Sequence, residues 1–502
     1  MGAAQSTPVI KALKQALDND DDLYAFPGRP LYQLRYVKPY NMDRPVKPAA
    51  ITYPKTKEQV AAIVKVAADF GLKVQPRSGG HSYANYCLGG VNGCIVIDLK
   101  RFQQFKMDEM TWNATVGAGT LLGDVTKRMH DAGNRAVAHG TCPQVGVGGQ
   151  ATIGGLGPSS RMWGSLLDHI SEMEVVLADS SIVRASATQN TDIFWACRGA
   201  GASFGIVTEF ILRTKPEPGE AIQYSFSFTG RPYASLAKLF KKWQTFVADP
   251  KLTRKFATSV VITELGMVIT GTFFGSRAEY DALQLSKLFP GSANAHTVVL
   301  KDWLGTVASW AEDAALQLGG GIASPIYTKS MTFNGCHLIP DAAIERMFAY
   351  LDIVKKGTPI WFIIFDLEGG AINDVPAAAT AYAHRDALFY MQSYAVGIPK
   401  LRARTRGFLR GFHDVLLKSV PGGDTFGAYA GYVDPELTDG QRQYWRGNLS
   451  RLEEIKAEVD PGEVFWNPQS VRPAGGVEME KMGRLRKTER RRFGDVFCGL
   501  FC

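Results

Sequence analysis

The sequence predicts an α+β protein whose two halves are built differently. From about Pro48 onward, strands and helices alternate with glycine-rich junctions, a pattern typical of α/β layers. Between about Ala221 and Pro421, strands such as "VVITELGMVITGTFFG" and "PIWFIIFDLEGG" are mixed with amphipathic helices, which predicts an antiparallel sheet backed by helices. A chain of 502 residues is also longer than one hydrophobic core supports, so about two to four domains are expected.

The elements of the first half follow from local signals. The segment "PAAITYPKTKEQVAAIVKVAADFGLKVQPRSGG" predicts strand, helix and strand, with Lys55 and Thr56 opening the helix and Gly71 closing it. The β-rich run "CIVIDL" suits a buried strand. The segment "MEVVLADSSIVRAS" is typical of a hairpin that turns at Asp179 and Ser180.

Domain boundaries are indicated by a change of composition near "RTKPEPGEAIQYSFSF", where Pro216 and Pro218 interrupt the pattern. A helix in the last ordered part is expected to end near Asp460 and Pro461. We therefore divide the chain into an N-terminal helix and lead-in (1–40), a first, α/β domain (41–217), a second domain with the antiparallel sheet (218–424), a C-terminal segment that returns to the first domain (425–473) and a basic tail expected to be disordered (474–502).

Charge and cysteine content argue against several classes of function. The formal net charge is +8, but the basic excess is densest in the tail, and no basic stripe with interleaved aromatic residues recurs elsewhere. Nucleic acid is therefore not an expected partner. The seven cysteines are scattered and contain no CxxC pair, which argues against a disulfide framework and against a metal site. We expect buried free thiols, with a Cys87–Cys94 bridge across a loop in an oxidising compartment as the alternative.

The two ends of the chain carry signals of location. The N-terminus lacks the apolar core and cleavage site of a secretory signal, so an intracellular protein is expected. Gly2 and Ser6 fit the myristoylation pattern, and the basic tail with Phe493, Phe497 and Phe501 could form a membrane-surface patch. A frayed N-terminus and a disordered tail are the expectation, and membrane contact through these ends is the alternative. We also expect a monomer.

Two glycine-rich segments suggest a bound cofactor. The segment "VGAGTLLG", residues 116–123, follows a strand and opens a helix, but its GxGxxxG spacing and the lack of an acidic residue about 20 positions on argue against a nicotinamide Rossmann site. In "HGTCPQVGVGGQATIGGLGPSSRMWG", seven glycines follow Cys142, with apolar residues between them. Such a loop is ordered and lets the backbone lie flat against a large planar ligand.

Four motifs now stand in a recognisable order: "RSGGHSY", "GTCPQVGVGGQATIGGLGPSSRMWG", "GASFGIVTEF" and "NPQSVRP". Together they resemble the berberine bridge enzyme-like flavoproteins of the vanillyl-alcohol-oxidase fold superfamily, and above all the fungal oligosaccharide oxidases and related secondary-metabolite oxidoreductases. The resemblance covers roughly residues 48–473. It implies a two-subdomain FAD-binding domain of the PCMH type at 41–217 and a substrate-binding domain at 218–424.

The resemblance also implies how FAD is held. The family's histidine is bonded to the 8α-methyl group of the flavin and its cysteine to C6, and His81 and Cys142 occupy those positions. Two such bonds hold the ring and make it a stronger hydride acceptor. A hydrogen-bonded histidine and a buried thiol are the alternatives, and Gln150 replaces the family's usual histidine. The other expected FAD contacts are Arg77, Ser78, Gly79, Gly80, Ser82, Thr141, Val145, Gly146, Gly148, Gly149, Gly154, Gly155, Gly205, Ile206, Val207 and Asn467.

Catalytic residues are expected in "YAGYVDP" and "WFIIFDLEGG". In the family's YxNY signature the second tyrosine takes the substrate's hydroxyl proton; this is Tyr432, with Tyr429 beside it on the same face of a strand. Asp366 lies where oligosaccharide oxidases place an aspartate that assists the tyrosine. Strand residues without a catalytic role are the alternative. Val145 matches the valine with which relatives admit oxygen, which favours an oxidase.

The substrate side departs from the sugar-oxidising relatives. Gly431 replaces the asparagine of YxNY, and Phe362 and Ile364 stand where those relatives place polar or sugar-stacking groups. An apolar wall suits a flatter and more apolar substrate than a glucan. Tyr83 and Trp361 are expected to supply aromatic stacking.

We therefore expect an FAD-linked oxidase that removes a hydride from a hydroxylated small molecule of secondary metabolism and reduces O2 to H2O2. An oligosaccharide oxidase that converts a C1 hemiacetal to a lactone is the first alternative. A flavin-bearing protein that binds or cyclises its ligand without redox turnover is the second. No metal is expected to take part.

Overall fold

The computed structural model describes residues 7–318, 323–420 and 427–475. Gly2, Ser6 and the basic, phenylalanine-containing tail therefore lie outside the described residues. The strands are β1 (Tyr24–Ala25), β2 (Ala50–Thr52), β3 (Val74–Arg77), β4 (Ile95–Asp98), β5 (Phe105–Asp108), β6 (Asn113–Gly117), β7 (Arg135–Ala136), β8 (Ile170–Val176), β9 (Ile182–Ser186), β10 (Ile206–Arg213), β11 (Lys215–Pro216), β12 (Ala221–Thr229), β13 (Ser259–Thr263), β14 (Gly266–Phe273), β15 (Asn294–Leu300), β16 (Ile326–Asn334), β17 (Trp361–Leu367) and β18 (Ala387–Val396).

The α-helices alternate with these strands along the chain. They are α1 (Thr7–Ala16), α2 (Lys57–Asp69), α3 (Leu122–Asp131), α4 (Val147–Ile153), α5 (Ser160–Trp163), α6 (Leu166–His169), α7 (Thr191–Ala200), α8 (Ala237–Val247), α9 (Arg277–Asp281), α10 (Leu285–Leu288), α11 (Trp303–Leu318), α12 (Asp341–Ile353), α13 (Ala403–Leu417), α14 (Gly440–Trp445) and α15 (Leu449–Val459). Within the described ranges, no helix has both the length and the apolar character needed to cross a bilayer.

The first domain contains two sheets. The four-stranded sheet has the order β1-β2-β4-β3, in which β4 runs parallel to both β2 and β3. The predicted strand–helix–strand unit is present: the Thr56 hydroxyl accepts a hydrogen bond from the Gln59 N–H at 3.2 Å, and Gly71 follows the helix with a φ of +63°. A serine or threonine cap and a left-handed glycine are the usual signals for these two helix ends.

The second sheet of the first domain has five strands in the order β5-β6-β10-β8-β9. The predicted hairpin is formed by β8 and β9, and Ser180 in its turn has a φ of +68°. The "VGAGTLLG" segment leads from β6 into α3, but β6 pairs antiparallel with β5 and β10. A dinucleotide-binding loop instead leaves a strand of a parallel sheet, so the nicotinamide alternative has no support in this topology.

The second domain is built on a seven-stranded antiparallel sheet in the order β15-β12-β14-β13-β17-β18-β16. Helices α8, α12 and α13 cover one of its faces, where Phe240, Phe348 and Phe412 join a large buried core. Because side chains alternate along a strand, the opposite face is free to meet the first domain. The face that the helices leave uncovered carries Asp366 and its hydrogen-bond partners from β13 and β18.

After the second domain the chain returns to the first. The Val74 N–H at the start of β3 donates to the Val464 carbonyl at 2.8 Å, which joins the C-terminal segment to the parallel sheet. Lys456 on α15 is fully buried and donates to the Phe465 carbonyl at 2.9 Å and to Asp460. Helix α15 ends at Val459, which confirms the predicted end of this helix.

Candidate active site

A cavity of about 470 Å³ lies where the two domains and the C-terminal segment meet. The first domain contributes loop residues between 78 and 87 and between 140 and 158. The second domain contributes the sheet face that its helices leave uncovered, and the C-terminal segment contributes residues between 429 and 433 and between 467 and 470. A site shared by several chain segments at a domain junction is a usual place for a cofactor.

Two glycine loops meet at the base of this cavity. A Cβ atom on Gly79 would lie 2.3 Å from the Gly146 nitrogen, and a Cβ on Gly146 would lie 2.0 Å from the Ser78 hydroxyl oxygen. Neither position can therefore carry a side chain without separating the loops. This contact holds the loop that carries His81 against the loop that carries Cys142.

His81 and Cys142 both line the cavity and are both half-buried. The Tyr40 ring lies beside the imidazole, with ring centroids 4.9 Å apart. Burial lowers the pKa of His81, so its imidazole is neutral at neutral pH and keeps a free lone pair. Burial raises the pKa of the Cys142 thiol, while a hydrogen bond involving Thr141 opposes that shift. The cysteine is a free thiol.

The predicted contact between Tyr432 and Asp366 is present. The Tyr432 hydroxyl donates to Asp366 Oδ2 at 3.3 Å, and the carboxylate also accepts from Ser259 Oγ at 2.7 Å and from Gln392 Nε2 at 3.0 Å. Ser259 lies directly opposite Asp366 on β13, and Gln392 lies opposite Ile364 on β18. Strand register therefore brings both partners to the carboxylate, which no local sequence signal indicated.

The electrostatics of this pair keep a proton on the phenol. Burial raises the pKa of Asp366 above its usual value, although Ser259, Gln392 and Tyr432 oppose the shift by hydrogen bonding to the ionised form. Burial, and then the nearby Asp366 and Glu368 carboxyls, raise the pKa of Tyr432 well above its usual value. The phenol thus holds its proton at neutral pH, and Asp366, when ionised, is the group of the pair that can take up another proton.

The expectation that Tyr429 and Tyr432 lie on one face of a strand is wrong. Residues 430–432 form a single 3₁₀ turn, with the Tyr432 N–H donating to the Tyr429 carbonyl at 3.0 Å. The two rings meet edge to face at 5.2 Å and 88°. A Cβ on Gly431 would lie 2.3 Å from the Tyr429 ring, so the turn with this ring position requires glycine. The Tyr429 hydroxyl accepts from the Gly155 N–H at 3.0 Å.

Most of the other expected residues do line the cavity. A Cβ on Gly149 would meet nothing within 4 Å, so this glycine leaves room in the wall. Besides the residues already placed, the lining includes Ser78, Gly79, Gly80, Ser82, Tyr83, Thr141, Val145, Gly146, Gly148, Gly205, Val207, Ile364 and Asn467.

Arg77 and Ile206 are expected cofactor contacts that the structure places behind the wall. The Arg77 guanidinium is buried and bonded to Asp98, with an N–O distance of 2.7 Å, and it also donates to the Tyr36 carbonyl at 2.9 Å. It therefore anchors the loop from the rear. Ile206 is fully buried in the first-domain core, while its neighbours Gly205 and Val207 face the cavity. The alternation of a strand explains that difference.

Gly154 and Gly155 are also not part of the cavity wall. A Cβ on Gly154 would lie 2.6 Å from the Tyr429 hydroxyl oxygen, and a Cβ on Gly155 would lie 2.3 Å from the Leu166 Cβ. Both glycines have positive φ values, of +154° and +81°. They let the loop turn closely past Tyr429 and so position that ring.

Two of the four expected substrate contacts are displaced. Trp361 is 1% exposed, lies in the helix-side core, and donates its indole N–H to Glu264 at 2.9 Å. It stands an odd number of positions from Asp366 and so faces the other side of the sheet. Phe362 shares the cavity-side face but stacks on Tyr394 at 5.0 Å, beside the cavity rather than in its lining.

The sequence interpretation missed Glu368, which lines the cavity and is 4% exposed. Its spacing of two positions from Asp366 was the available signal, because such residues share a strand face. It also missed a polar end of the cavity, where Gln223 donates to Asp313 at 2.7 Å and Trp310 donates to Thr272 at 2.8 Å. These residues come from distant elements.

Comparison with known proteins gives the family. The FAD binding domain family matches residues 48–186, and the family described as berberine and berberine like matches residues 428–472. The FAD-linked oxidoreductase sorD of Penicillium rubens is 42% identical over 466 residues, which cover 92% of this chain and 98% of that protein. This chain belongs to the berberine bridge enzyme-like family. It is an FAD-linked oxidoreductase that acts on a small molecule with oxygen as the acceptor.

Solved structures of family members share the whole fold. A xylooligosaccharide oxidase from Myceliophthora thermophila in complex with xylobiose has a TM-score of 0.83 at 32% identity, covering 93% of this chain and 99% of its own. The glucooligosaccharide oxidase from Acremonium strictum, described with a 6-S-cysteinyl, 8α-N1-histidyl FAD, has a TM-score of 0.82 at 31% identity, with coverages of 93% and 99%. The expected fold class is thereby confirmed.

The residues of this chain fit FAD. A Cβ on Gly149 would face open space in the cavity wall, and a neutral imidazole and a free thiol line the same cavity. Ser78, Gly79 and Gly80 would hold one side of the cofactor, Gly146 and Gly148 the other. When bound, FAD supplies a two-electron acceptor that oxygen can reoxidise.

Proposed function

We propose that this protein is an oxidase in which FAD is bound covalently through His81 and Cys142 and the substrate hydroxyl is deprotonated by Tyr432 with Asp366. The observation that carries this proposal is the Tyr432–Asp366 hydrogen bond, because it lies in the wall of the same cavity that exposes His81 and Cys142. The covalent FAD described for the glucooligosaccharide oxidase supports the attachment.

Two atoms of the site, Tyr432 Oη and Asp366 Oδ2, take part in the proposed proton transfer. A substrate hydroxyl that donates to Tyr432 Oη gives its proton to that oxygen while the phenol's own proton passes to Asp366 Oδ2. The raised pKa of Asp366 makes this transfer more favourable than transfer to an ordinary exposed carboxylate. Ser259 and Gln392 hold the carboxylate so that Oδ2 stays in line with the phenol. Loss of the hydroxyl proton prepares the adjacent carbon to release hydride.

We propose a neutral, largely apolar substrate with a hydroxyl group, such as a phenolic, polyketide or terpenoid alcohol. Among the described residues that line the cavity there is no lysine or arginine, whereas Asp313, Asp366 and Glu368 supply carboxyl groups. An ionised Asp366 beside the reacting hydroxyl disfavours an anionic substrate at that place. The stacked rings of Tyr40 and Tyr83, with centroids 5.9 Å apart, and the Ile364 side chain favour a flat apolar body.

The second candidate is an oligosaccharide oxidase, and the polar end of the cavity favours it. Gln223, Thr272 and Asp313 present hydrogen-bonding groups there, beside the Trp310 ring. Hydroxyl-rich sugars use this combination of polar groups and an aromatic ring. Several relatives carry out this reaction, the xylooligosaccharide and glucooligosaccharide oxidases among them.

One screen separates the two candidates. The purified FAD-loaded protein is mixed in air with cellobiose, maltose, lactose, chito-oligosaccharides and a matched set of phenolic, polyketide and terpenoid alcohols, and peroxide is measured. Peroxide with the aromatic or terpenoid alcohols alone supports the apolar substrate. Peroxide with the sugars would replace it by the second candidate. A protein whose flavin is reduced by dithionite but by none of these compounds would contradict both.

Ser259→Ala is expected to move the acidic limb of the kcat/KM profile to higher pH. Asp366 accepts a proton only when ionised, so activity falls as the pH falls through its pKa. The Ser259 hydroxyl lowers that pKa, and its removal should raise the pKa by about half to one pH unit. The matched control is Thr270→Val, which removes the hydroxyl opposite Ser259 that donates to the Tyr224 carbonyl instead. Equal shifts in both variants, or none in Ser259→Ala, would contradict the role of Asp366.

Val145→Leu is expected to slow reoxidation of the reduced enzyme by oxygen by about tenfold or more, or roughly 1.4 kcal/mol of barrier. Val145 lines the cavity on the loop just beyond Cys142, so added bulk there restricts access. Reduction by substrate without air should be nearly unchanged. Stopped-flow absorbance of the two half-reactions measures this directly, with Val145→Ala as the control that keeps the route open. An unchanged oxygen reaction in Val145→Leu would place oxygen entry elsewhere.

A further inference from the structure

Glu368 is a buried carboxyl group that the reaction proposed above does not use. Its side chain lines the cavity and its residue is 4% exposed, yet Oε2 has no hydrogen-bond partner among the described residues. Glu368 comes two positions after Asp366, directly beyond the end of β17, so the two carboxyls lie on the same side of the sheet. A buried polar atom without a partner inside a ligand cavity indicates that the ligand supplies the partner.

The backbone on both sides holds Glu368 in place. Its N–H donates to the Leu388 carbonyl at 2.7 Å, and its carbonyl accepts from the Arg161 guanidinium, which also donates to the Phe256 carbonyl at 2.9 Å. Arg161 is therefore bonded to backbone oxygens. Its charge lowers the pKa of Glu368, but the burial of the carboxyl outweighs this. The backbone of Glu368 is held in place while its carboxyl group stays available to the cavity.

The surroundings favour the protonated form of this carboxyl. An ionised carboxylate with an unpaired buried oxygen costs several kcal/mol, and the neighbouring Asp366 charge adds repulsion. Burial and then Asp366 raise the pKa of Glu368 well above its usual value. The other titratable groups that its charge affects are the buried phenols Tyr382, Tyr390, Tyr429 and Tyr432, which are neutral and supply no compensating cation. A protonated carboxyl is a hydrogen-bond donor.

We propose that Glu368 donates its carboxyl proton in a hydrogen bond to a carbonyl oxygen in the cavity, beside the hydroxyl group that Tyr432 and Asp366 bind. The inference rests on the proposed function, since it assumes the substrate hydroxyl at Tyr432. The carbonyl belongs either to the substrate or to the pyrimidine ring of FAD. In the first case Glu368 selects hydroxylated substrates that also carry a carbonyl group, and in the second it positions the cofactor.

Infrared spectroscopy tests the protonation state without any ligand. The spectrum of the FAD-loaded protein at neutral pH minus that of Glu368→Gln should contain the C=O stretching band of a protonated carboxyl, with its shift in D2O. Asp366→Asn is the control for the neighbouring carboxyl. A difference spectrum that shows only carboxylate bands would overturn the proposal, whatever the substrate.

The substrate arm uses two phenols that differ by one carbonyl group, 4-hydroxyacetophenone and 4-ethylphenol. Their binding to the FAD-loaded protein is measured without turnover, in the absence of air, from the change in the visible flavin spectrum. The unmodified protein should prefer the ketone by about fivefold, the value of one hydrogen bond. Glu368→Gln, whose amide N–H is also a donor, should keep most of this preference, and Glu368→Leu should lose it.

The cofactor arm uses the same variants without ligand. If the carbonyl belongs to FAD, Glu368→Leu should shift the visible absorption maxima and the reduction potential, Glu368→Gln should shift them less, and neither phenol should be preferred. The proposal is overturned if the unmodified protein does not prefer the ketone and Glu368→Leu shifts neither the absorption maxima nor the reduction potential. A preference for the ketone that Glu368→Leu retains would also overturn it, because such a preference would not depend on the Glu368 carboxyl. None of these measurements depends on peroxide formation, so failure of the proposed oxidase reaction remains distinguishable.

Discussion

Replacing Tyr432 with phenylalanine is expected to lower kcat by about a thousandfold, within the range of general acid–base catalysis, while the flavin stays bound. The Tyr432 phenol lines the cavity and donates to Asp366, and the substituted ring keeps the volume and the edge-to-face contact with Tyr429. The measurement is peroxide formation with the substrate found in the screen, together with the flavin absorbance of the same sample. Reduction of the flavin by substrate in the absence of air should be slowed by the same factor, because the lost proton transfer comes before the reaction with oxygen.

Tyr429→Phe is the matched control for this prediction. Its hydroxyl accepts from the Gly155 N–H at the back of the glycine loop, so its loss should cost only about one hydrogen bond in stability, near 1 kcal/mol, and little in rate. Asp366→Asn should resemble Tyr432→Phe, since an amide cannot take the phenol's proton. Normal turnover in Tyr432→Phe, or an equal loss in Tyr429→Phe, would remove Tyr432 from the role of proton acceptor.

The double substitution His81→Ala with Cys142→Ala is expected to release the flavin from acid-precipitated protein. Each single substitution should leave the yellow colour in the pellet, because the other side chain still provides a covalent bond. The contact between Gly79 and Gly146 holds the two loops together in either single variant, so both side chains remain placed at the cavity. The measurement is flavin absorbance in the pellet and in the supernatant.

Cys197→Ala is a suitable control for the thiol substitution. Cys197 is also a free, buried cysteine of the first domain, but its side chain lies in the core and not in the cavity lining. It should not affect flavin retention. Flavin in the supernatant of the unmodified protein would contradict covalent attachment altogether. Release of the flavin by one single substitution would show that the substituted side chain forms the one covalent bond and that the other side chain forms none.

Much of the site was accessible from the sequence because its signals are local. Gly79 and Gly146 lie within short motifs whose spacing already requires close backbone contact, and His81 and Cys142 belong to the same motifs. Ile364 and Asp366 lie two positions apart and share one face of β17, as the alternation of a strand requires. The same rule, applied to Trp361, would have put that ring on the opposite face, and applied to Glu368 it would have added a second carboxyl to the cavity.

What the sequence determined by itself is therefore the division into an α/β half and an antiparallel half and the two cofactor loops, whereas the pairing of Tyr432 with Asp366 was implied by the resemblance to the family. Only the tertiary structure decided that Ser259 and Gln392 complete the environment of Asp366, that residues 430–432 turn instead of extending, and that Glu368 has no partner. The physical reason is that motifs and periodicities act over a few residues. Strand register, burial and hydrogen-bond satisfaction depend on segments a hundred residues apart that meet only when the chain has folded.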